Sequence, residues 1–207
     1  MTVAEDIVEL GASFFRRGLT FGRTGNLSAI DADGTIVMTP TGVSLERLRA
    51  DSLSRVTREG EHVGGPPPTK EAFLHLAIYR ARPGAGAVVH THSTHSVAVS
   101  CLRDIDSRNA LPVLTAYYAM RVGRLPLLPY FAPGDQSLAA TAESVAVEHH
   151  ALLLANHGPI VAGKDLTSAA DALEEIEETA KLFLLLRGQA VNPVSDEEAR
   201  RLSDQYR

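Results

Sequence analysis

Three histidines stand within six positions of the stretch AVVHTHSTHS, residues 87–96: His90, His92 and His95. On an extended strand, side chains two apart point to the same side, with Cα atoms about 6.5–7 Å apart, so His90 and His92 can converge on one ion. The same pair can also lie on the solvent face of a sheet, and a third ligand decides between the two readings. Asn156-His157-Gly158 follows the apolar run ALLLA, at a strand end where a rigid scaffold can present a side chain. His157 is the candidate third ligand; the alternative is a turn histidine bonded to its own backbone. Glu71 is the candidate oxygen ligand or acid/base. It falls in the first turn of a helix, where backbone N–H groups and the macrodipole favour a carboxylate with or without chemistry. His95, one helical turn past His92, reads as a packing or locally bonded residue. His62, His75, His149 and His150 carry no spacing argument.

The elements that must position these residues alternate between helix and strand. Thr2 and Glu5 form a capping box ahead of Val3, Ile7, Leu10 and Phe14, which predicts a helix ending at Gly18. Leu27 to Ile30 and Thr35 to Met38 flank the turn Asp31-Ala32-Asp33-Gly34 as a hairpin, and a second, weaker hairpin is expected around Glu59-Gly60. After the triple proline 66–68, Thr69 is the expected N-cap of a helix that buries Phe73, Leu74, Ala77 and Ile78. Ala87 to Thr91 reads as a buried strand delivering His90 and His92, and Ser93 to Leu102 as the helix that leaves it. Strands at 151–155 and 160–162, a long helix over about 166–186 stopped by Gly188, and a capped helix from Ser195 complete the expectation.

Composition limits what such a site can be. The chain has 207 residues, 44% hydrophobic and 22% charged, enough for one substantial core and one domain over residues 1–207. With one cysteine, Cys101, neither an internal disulfide nor a thiolate-rich metal site is possible, so histidines and carboxylates must hold any metal. MTVAEDIVEL carries acids where a signal peptide has a basic head, and no apolar run approaches the roughly 18 residues of a membrane span. The expectation is a cytoplasmic protein with no membrane partner. A formal charge of −5, no long basic run and no tryptophan argue against a nucleic-acid partner. A small anionic substrate remains compatible, because local cations would bind it.

GNLS at 25–28, TPTG at 39–42, the acid of PPTKEAF, HTHS at 90–93 and NHG at 156–158 together resemble the class II aldolase and adducin family, in order and over nearly the whole chain. Within it, the TKE motif, the SCL after the histidine motif, TAYYAMRVG, PYFAPGD and LLANHGP are most similar to the members that decarboxylate 3-oxo-tetronate 4-phosphates. The resemblance implies a three-layer α/β/α sandwich with a central, mainly antiparallel sheet. It also implies a homotetramer with sites at subunit boundaries. A divalent ion, commonly zinc with manganese as an alternative, would be held by His90, His92 and His157, with Glu71 beside it as ligand or acid/base. Tyr117 would donate a proton in a neighbouring subunit's site, with Tyr118 as the alternative; a tyrosine pair of this kind can also simply pack. Tyr206 could cover a site.

The implied chemistry suits the motif. Three neutral imidazoles leave zinc its charge of two and open positions for substrate oxygens, so the ion can act as a Lewis acid. Loss of carbon dioxide from a 3-oxo acid leaves an electron pair that delocalises onto the carbonyl oxygen, and an enediolate is also what an aldolase generates. Decarboxylation to dihydroxyacetone phosphate, aldol cleavage of a sugar phosphate, and a non-catalytic adducin-like binding role are the readings to separate. For the phosphate of a sugar-acid substrate, the match offers Gly25, Asn26, Thr41 and Gly42, with Thr69 and Lys70 at a helix start. Lys70 discriminates, since many sugar-phosphate aldolases of the family carry a small hydroxyl residue there. A lysine gripping the departing carboxylate would hinder its loss, so phosphate binding or orientation is its expected role.

Overall fold

The structure is a computed structural model that describes residues 2–206, with side chains for 2–205. Helices are α1 (Val3–Arg16), α2 (Ala72–Ala81), α3 (Thr94–Ser100), α4 (Ala116–Arg121), α5 (Ser137–Ala146), α6 (Leu166–Leu185) and α7 (Asp196–Tyr206). Strands are β1 (Asn26–Ile30), β2 (Ile36–Met38), β3 (Ser54–Val56), β4 (His62–Gly64), β5 (Ala87–His90), β6 (Leu127–Leu128), β7 (Ala151–Leu154) and β8 (Gly158–Gly163). They form one sheet in the order β4-β3-β2-β1-β5-β8-β7-β6, antiparallel throughout except for the β6–β7 edge pair.

Helices cover both faces, which makes the three-layer sandwich. The central strands are buried on both sides, so they read as unbroken apolar runs whose alternate residues feed two cores. In β7, Ala151 and Leu153 join the core beneath α1, α3, α4 and α6, whereas Leu152 and Leu154 join the core beneath α2 and α5. Val89 and Val88 divide in the same way in β5. No helix among the described residues is long and apolar enough to cross a membrane.

Both hairpins, the Thr2–Glu5 capping box, the long α6 and the Ser195 start of α7 are as expected, with Glu198 N–H donating to Ser195 Oγ. Three boundaries differ. Strand β5 stops at His90, so His92 lies on the segment leaving the sheet and not on the strand itself. The cause is its neighbour: β1 begins at Asn26, opposite His90, and Gly25 turns the chain away with φ +79°. The following helix is shorter than 93–102, spanning Thr94–Ser100. Thr69 does not cap α2 itself: its Oγ1 accepts from Glu71 N–H at 3.3 Å in a turn ahead of the helix, and Glu71 occupies the cap position. The short α4, the alanine-rich α5 and the two-residue β6 are additions to the expected elements.

Candidate active site

The end of β5 gathers the site. His90 is fully buried, and its Nδ1–H donates to the Pro159 carbonyl at 2.7 Å, which fixes the tautomer and leaves Nε2 a bare lone pair facing inward. His92 follows on the strand exit, with ring centroids 5.0 Å from His90 and 4.5 Å from His157. His157 reaches them from the β7–β8 turn, where Asn156 adopts φ 57° and Gly158 φ 148°. Gly158 lies flat against the Thr91 backbone. Glu71 comes from the start of α2, with Oε1 3.1 Å from His157 Nε2 and Oε2 3.5 Å from His90 Nε2.

Each of the four residues offers one donor atom, and these atoms all lie within 4.8 Å of one another. Burial, opposed by Glu71, pushes His90 down to about 4; burial and the neighbouring imidazoles push His92 to about 3. Both are neutral at pH 7, the state in which a histidine is a ligand. Burial alone would raise Glu71, but His90, His157 and the Asn26 amide outweigh it and hold the carboxyl well below the usual range. Neutral imidazole nitrogens with one carboxylate form a donor set that suits a divalent ion such as zinc. Glu71 and His157 remain about a quarter exposed, so the cluster is open to solvent.

The anion-binding candidates assemble around the same end. Thr69 N–H donates to the Thr39 carbonyl and Thr41 N–H to the Pro67 carbonyl, so TPTG and PPTKE lie side by side. Gly42 (φ 75°) and Lys70 are exposed there, and Lys70 has no ion pair among the described residues. Gly25 packs on His90 and Thr91; a Cβ on it would meet the His90 carbonyl at 2.9 Å. Asn26 bonds within the protein: its Nδ2 donates to Glu71 Oε2 at 2.6 Å and its Oδ1 accepts from His75 Nε2–H at 2.5 Å, with the second Nδ2 hydrogen left over. Tyr117 stays outside this cluster. It is 58% exposed on α4, with the Arg121 guanidinium 5.4 Å from its ring centroid. Tyr118 is fully buried in the core, and its hydroxyl has no hydrogen-bond partner among the described residues. The Tyr206 side chain lies outside the described residues.

Two contributors carry no signal in the histidine spacing. One is His75, whose position four residues after Glu71 puts both on one face of α2. The other is Glu177 of α6, buried beneath α3. It accepts from the backbone N–H groups of His95 and Ser96, from His95 Nδ1–H and from Ser96 Oγ–H, at 2.7–2.9 Å. Burial would raise its pKa, but these four donors hold it lowered. Glu177 thus acts as an N-cap supplied from another helix, and anchors the segment just past His92. His95, expected to pack or bond locally, instead bonds across to α6.

A mainly antiparallel sheet sandwiched by helices, with three histidines and a glutamate converging at the end of β5, defines an α/β sandwich with a candidate metal centre at one end of the sheet. The chain belongs to the class II aldolase and adducin family: the model described as Class II Aldolase and Adducin N-terminal domain matches residues 5–184. It is 46% identical over 198 residues to the 3-oxo-tetronate 4-phosphate decarboxylase of Pectobacterium atrosepticum, covering 96% of this chain and 91% of that protein. The L-fuculose phosphate aldolase of Escherichia coli is 33% identical over 199 residues, covering 95% and 90%. The crystal structure of YgbL from Klebsiella pneumoniae superposes with TM-score 0.95 at 41% identity, covering 98% of this chain and 99% of that one.

Proposed function

We propose that the chain is a single-domain, cytoplasmic, metal-dependent lyase that decarboxylates a 3-oxo-tetronate 4-phosphate to dihydroxyacetone phosphate and carbon dioxide. The observation that carries the reading is the convergence of Glu71, His90, His92 and His157, in a chain 46% identical to a decarboxylase of that name. The same four residues would hold the ion, with zinc favoured by the nitrogen-rich donor set and manganese as the alternative. Bound there, the ion supplies a Lewis acid for a carbonyl oxygen.

The residues do the rest. Cleavage of the C1–C2 bond releases carbon dioxide and leaves its electron pair delocalised between C2 and the C3 carbonyl oxygen; a proton delivered to C2 completes dihydroxyacetone phosphate. Glu71, ionised and partly exposed, is placed to take up a proton from solvent and pass it to C2. Tyr117, exposed on its own protomer, fits a donor to the site of a neighbouring subunit in a homotetramer. Lys70, with Gly42 and Thr69 beside it, fits the phosphate, where a compact cation needs no fixed geometry. Gly25 and Thr41 belong to the neighbouring loops, and Asn26 orients Glu71.

The test is incubation of purified protein with candidate 3-oxo-tetronate 4-phosphates while both products are measured. Equal release of carbon dioxide and dihydroxyacetone phosphate, abolished by a chelator and restored by zinc, is the expected result. An aldehyde product with no gas from a ketose phosphate would establish aldol cleavage instead.

A further inference from the structure

Five side chains of α2 and β1 form a hydrogen-bonded line that ends on Glu71. Glu71 at the N-cap of α2 and His75 and Tyr79 within it are four apart and share a face; along β1, Asn26 and Ser28 are two apart and share a side. The line runs Tyr79, Ser28, His75, Asn26, Glu71, with successive distances of 2.9, 2.7, 2.5 and 2.6 Å. Ser28 and His75 are fully buried, and Tyr79 and Asn26 nearly so.

Its direction is forced from one end. An ionised Glu71 only accepts, so Asn26 must turn its Nδ2 amide toward it. Asn26 Oδ1 then faces His75 and needs a donor, which requires the imidazole proton on Nε2. Nδ1 is left a bare acceptor, filled by Ser28 Oγ–H, and Ser28 in turn accepts from the Tyr79 hydroxyl. With the proton on Nδ1 instead, a bare Nε2 would face Asn26 Oδ1 across 2.5 Å. Flipping the amide would relieve that clash, but only by turning Oδ1 onto the Glu71 carboxylate, acceptor against acceptor.

We infer that His75 is a positioning residue for Glu71: its Nε2–H locks the Asn26 amide in the orientation that donates to Oε2, and leaves Oε1 directed at His157. The inference rests on the metal reading above and extends it to a residue that touches neither ion nor substrate. Polar partners of metal ligands contribute about 10–100-fold in metal affinity, because they orient the ligand before the ion arrives.

His75→Asn and His75→Gln separate this role from packing. The Gln amide reaches the Nε2 position and can still donate to Asn26, whereas the Asn amide reaches only the Nδ1 side. In the full-length protein, cobalt and zinc affinities are measured by competition with a chromophoric chelator, and folding by circular dichroism. His75→Asn is expected to weaken affinity about 10–100-fold and to shift the visible spectrum of the cobalt form, with His75→Gln within about threefold of wild type. In a Glu71→Gln background, His75→Asn should cost no further affinity, because it acts through Glu71. Unchanged affinity in His75→Asn, equal losses in both variants, or additive losses with Glu71→Gln would each overturn the inference while leaving the metal reading intact. Should His75→Asn not fold, Ser28→Ala removes the donor to Nδ1 and is expected to give a smaller loss; unchanged affinity there overturns it as well. A wild-type protein that takes up no ion would overturn the metal reading and this inference together.

Discussion

Gly158 and Thr91 are in backbone contact: a Cβ on Gly158 would sit 2.3 Å from the Thr91 carbonyl oxygen and 3.3 Å from the Cα of His92. This closeness, together with φ 148°, lets the turn that carries His157 lie beside the segment that carries His92. Gly158→Ala must therefore push the two apart. We expect a loss of stability of about 2–4 kcal/mol from backbone strain and displacement, and a loss of metal affinity well beyond that of other turn substitutions. Denaturant unfolding and chelator competition measure the two effects, and a variant with normal metal affinity would show that His157 is not held by this contact.

His92→Ala tests the ligand set, and Glu71→Gln, compared at matched metal content, tests turnover. His92 is only half-buried and lies off the strand, so its removal should leave the fold standing while most bound metal is lost. Glu71→Gln keeps size and burial but removes the charge. It should cut turnover by about 10²–10⁴-fold, the usual share of an acid/base group. Metal content of the purified variants and single-turnover rates decide the matter: full occupancy in His92→Ala refutes its place in the ligand set, and an unchanged rate returns Glu71 to a helix-end acid.

Lys70→Ser tests how the substrate is recognised. Losing one charge-assisted contact is worth about 1.5–3 kcal/mol, or roughly ten- to hundred-fold in kcat/KM. The loss should fall on the phosphorylated oxo acid and spare an unphosphorylated analogue, at matched metal content. Equal losses on both substrates would exclude the phosphate role. Aldol cleavage appearing in the variant would show that Lys70 selects between the two bond-breaking reactions.

His75 should make the protein acid-sensitive. Burial, opposed by Glu71, pushes it down to about 4 from 6.5, so between those pH values the unfolded chain binds a proton that the folded chain refuses. Stability then rises with pH across this window and is lost as pH falls from 6.5 toward 4, by roughly 3 kcal/mol for this one group. His90 and His92 add a slope of the same sign. The difference in denaturant stability between wild type and His75→Gln, followed from pH 7 to 4 in metal-free buffer, isolates the His75 share, and parallel curves would show that it does not titrate as described.

The HTH motif, the NHG turn and the glutamate before α2 were legible because each sits beside an apolar run or a proline-marked boundary that announces its own element. The sandwich was legible only through the family resemblance those motifs carry. What escaped was set by distance. Glu177 meets Ser96 across 81 residues, and no local pattern marks a helix glutamate as the cap of another helix. His75 was nearer to reach: Glu71, His75 and Tyr79 make an i, i+4, i+8 stripe, and Asn26 and Ser28 an i, i+2 pair, but only the sheet lays one against the other. The end of β5 was missed for a similar reason, since it falls where β1 leaves the sheet. Alanine-rich α5 has a weak apolar stripe, and the two residues of β6 are too few to alternate.

His90 and His157 bring their Nε2 atoms to 3.3 Å across 67 residues of chain, and Asn26 lies 45 residues from the glutamate it steadies. Contacts this far apart in sequence are costly to form before the strands around them have paired, so the centre is expected to assemble with the sheet and not to seed it. Small zinc modules, by contrast, are unfolded without their metal. Here the ion should enter a finished scaffold and stabilise it by mass action alone, in proportion to the logarithm of its free concentration. Stripping the metal should then leave an inactive but native chain that regains its ion without refolding, and the rate of reloading should follow access to the site rather than the slower formation of the sheet.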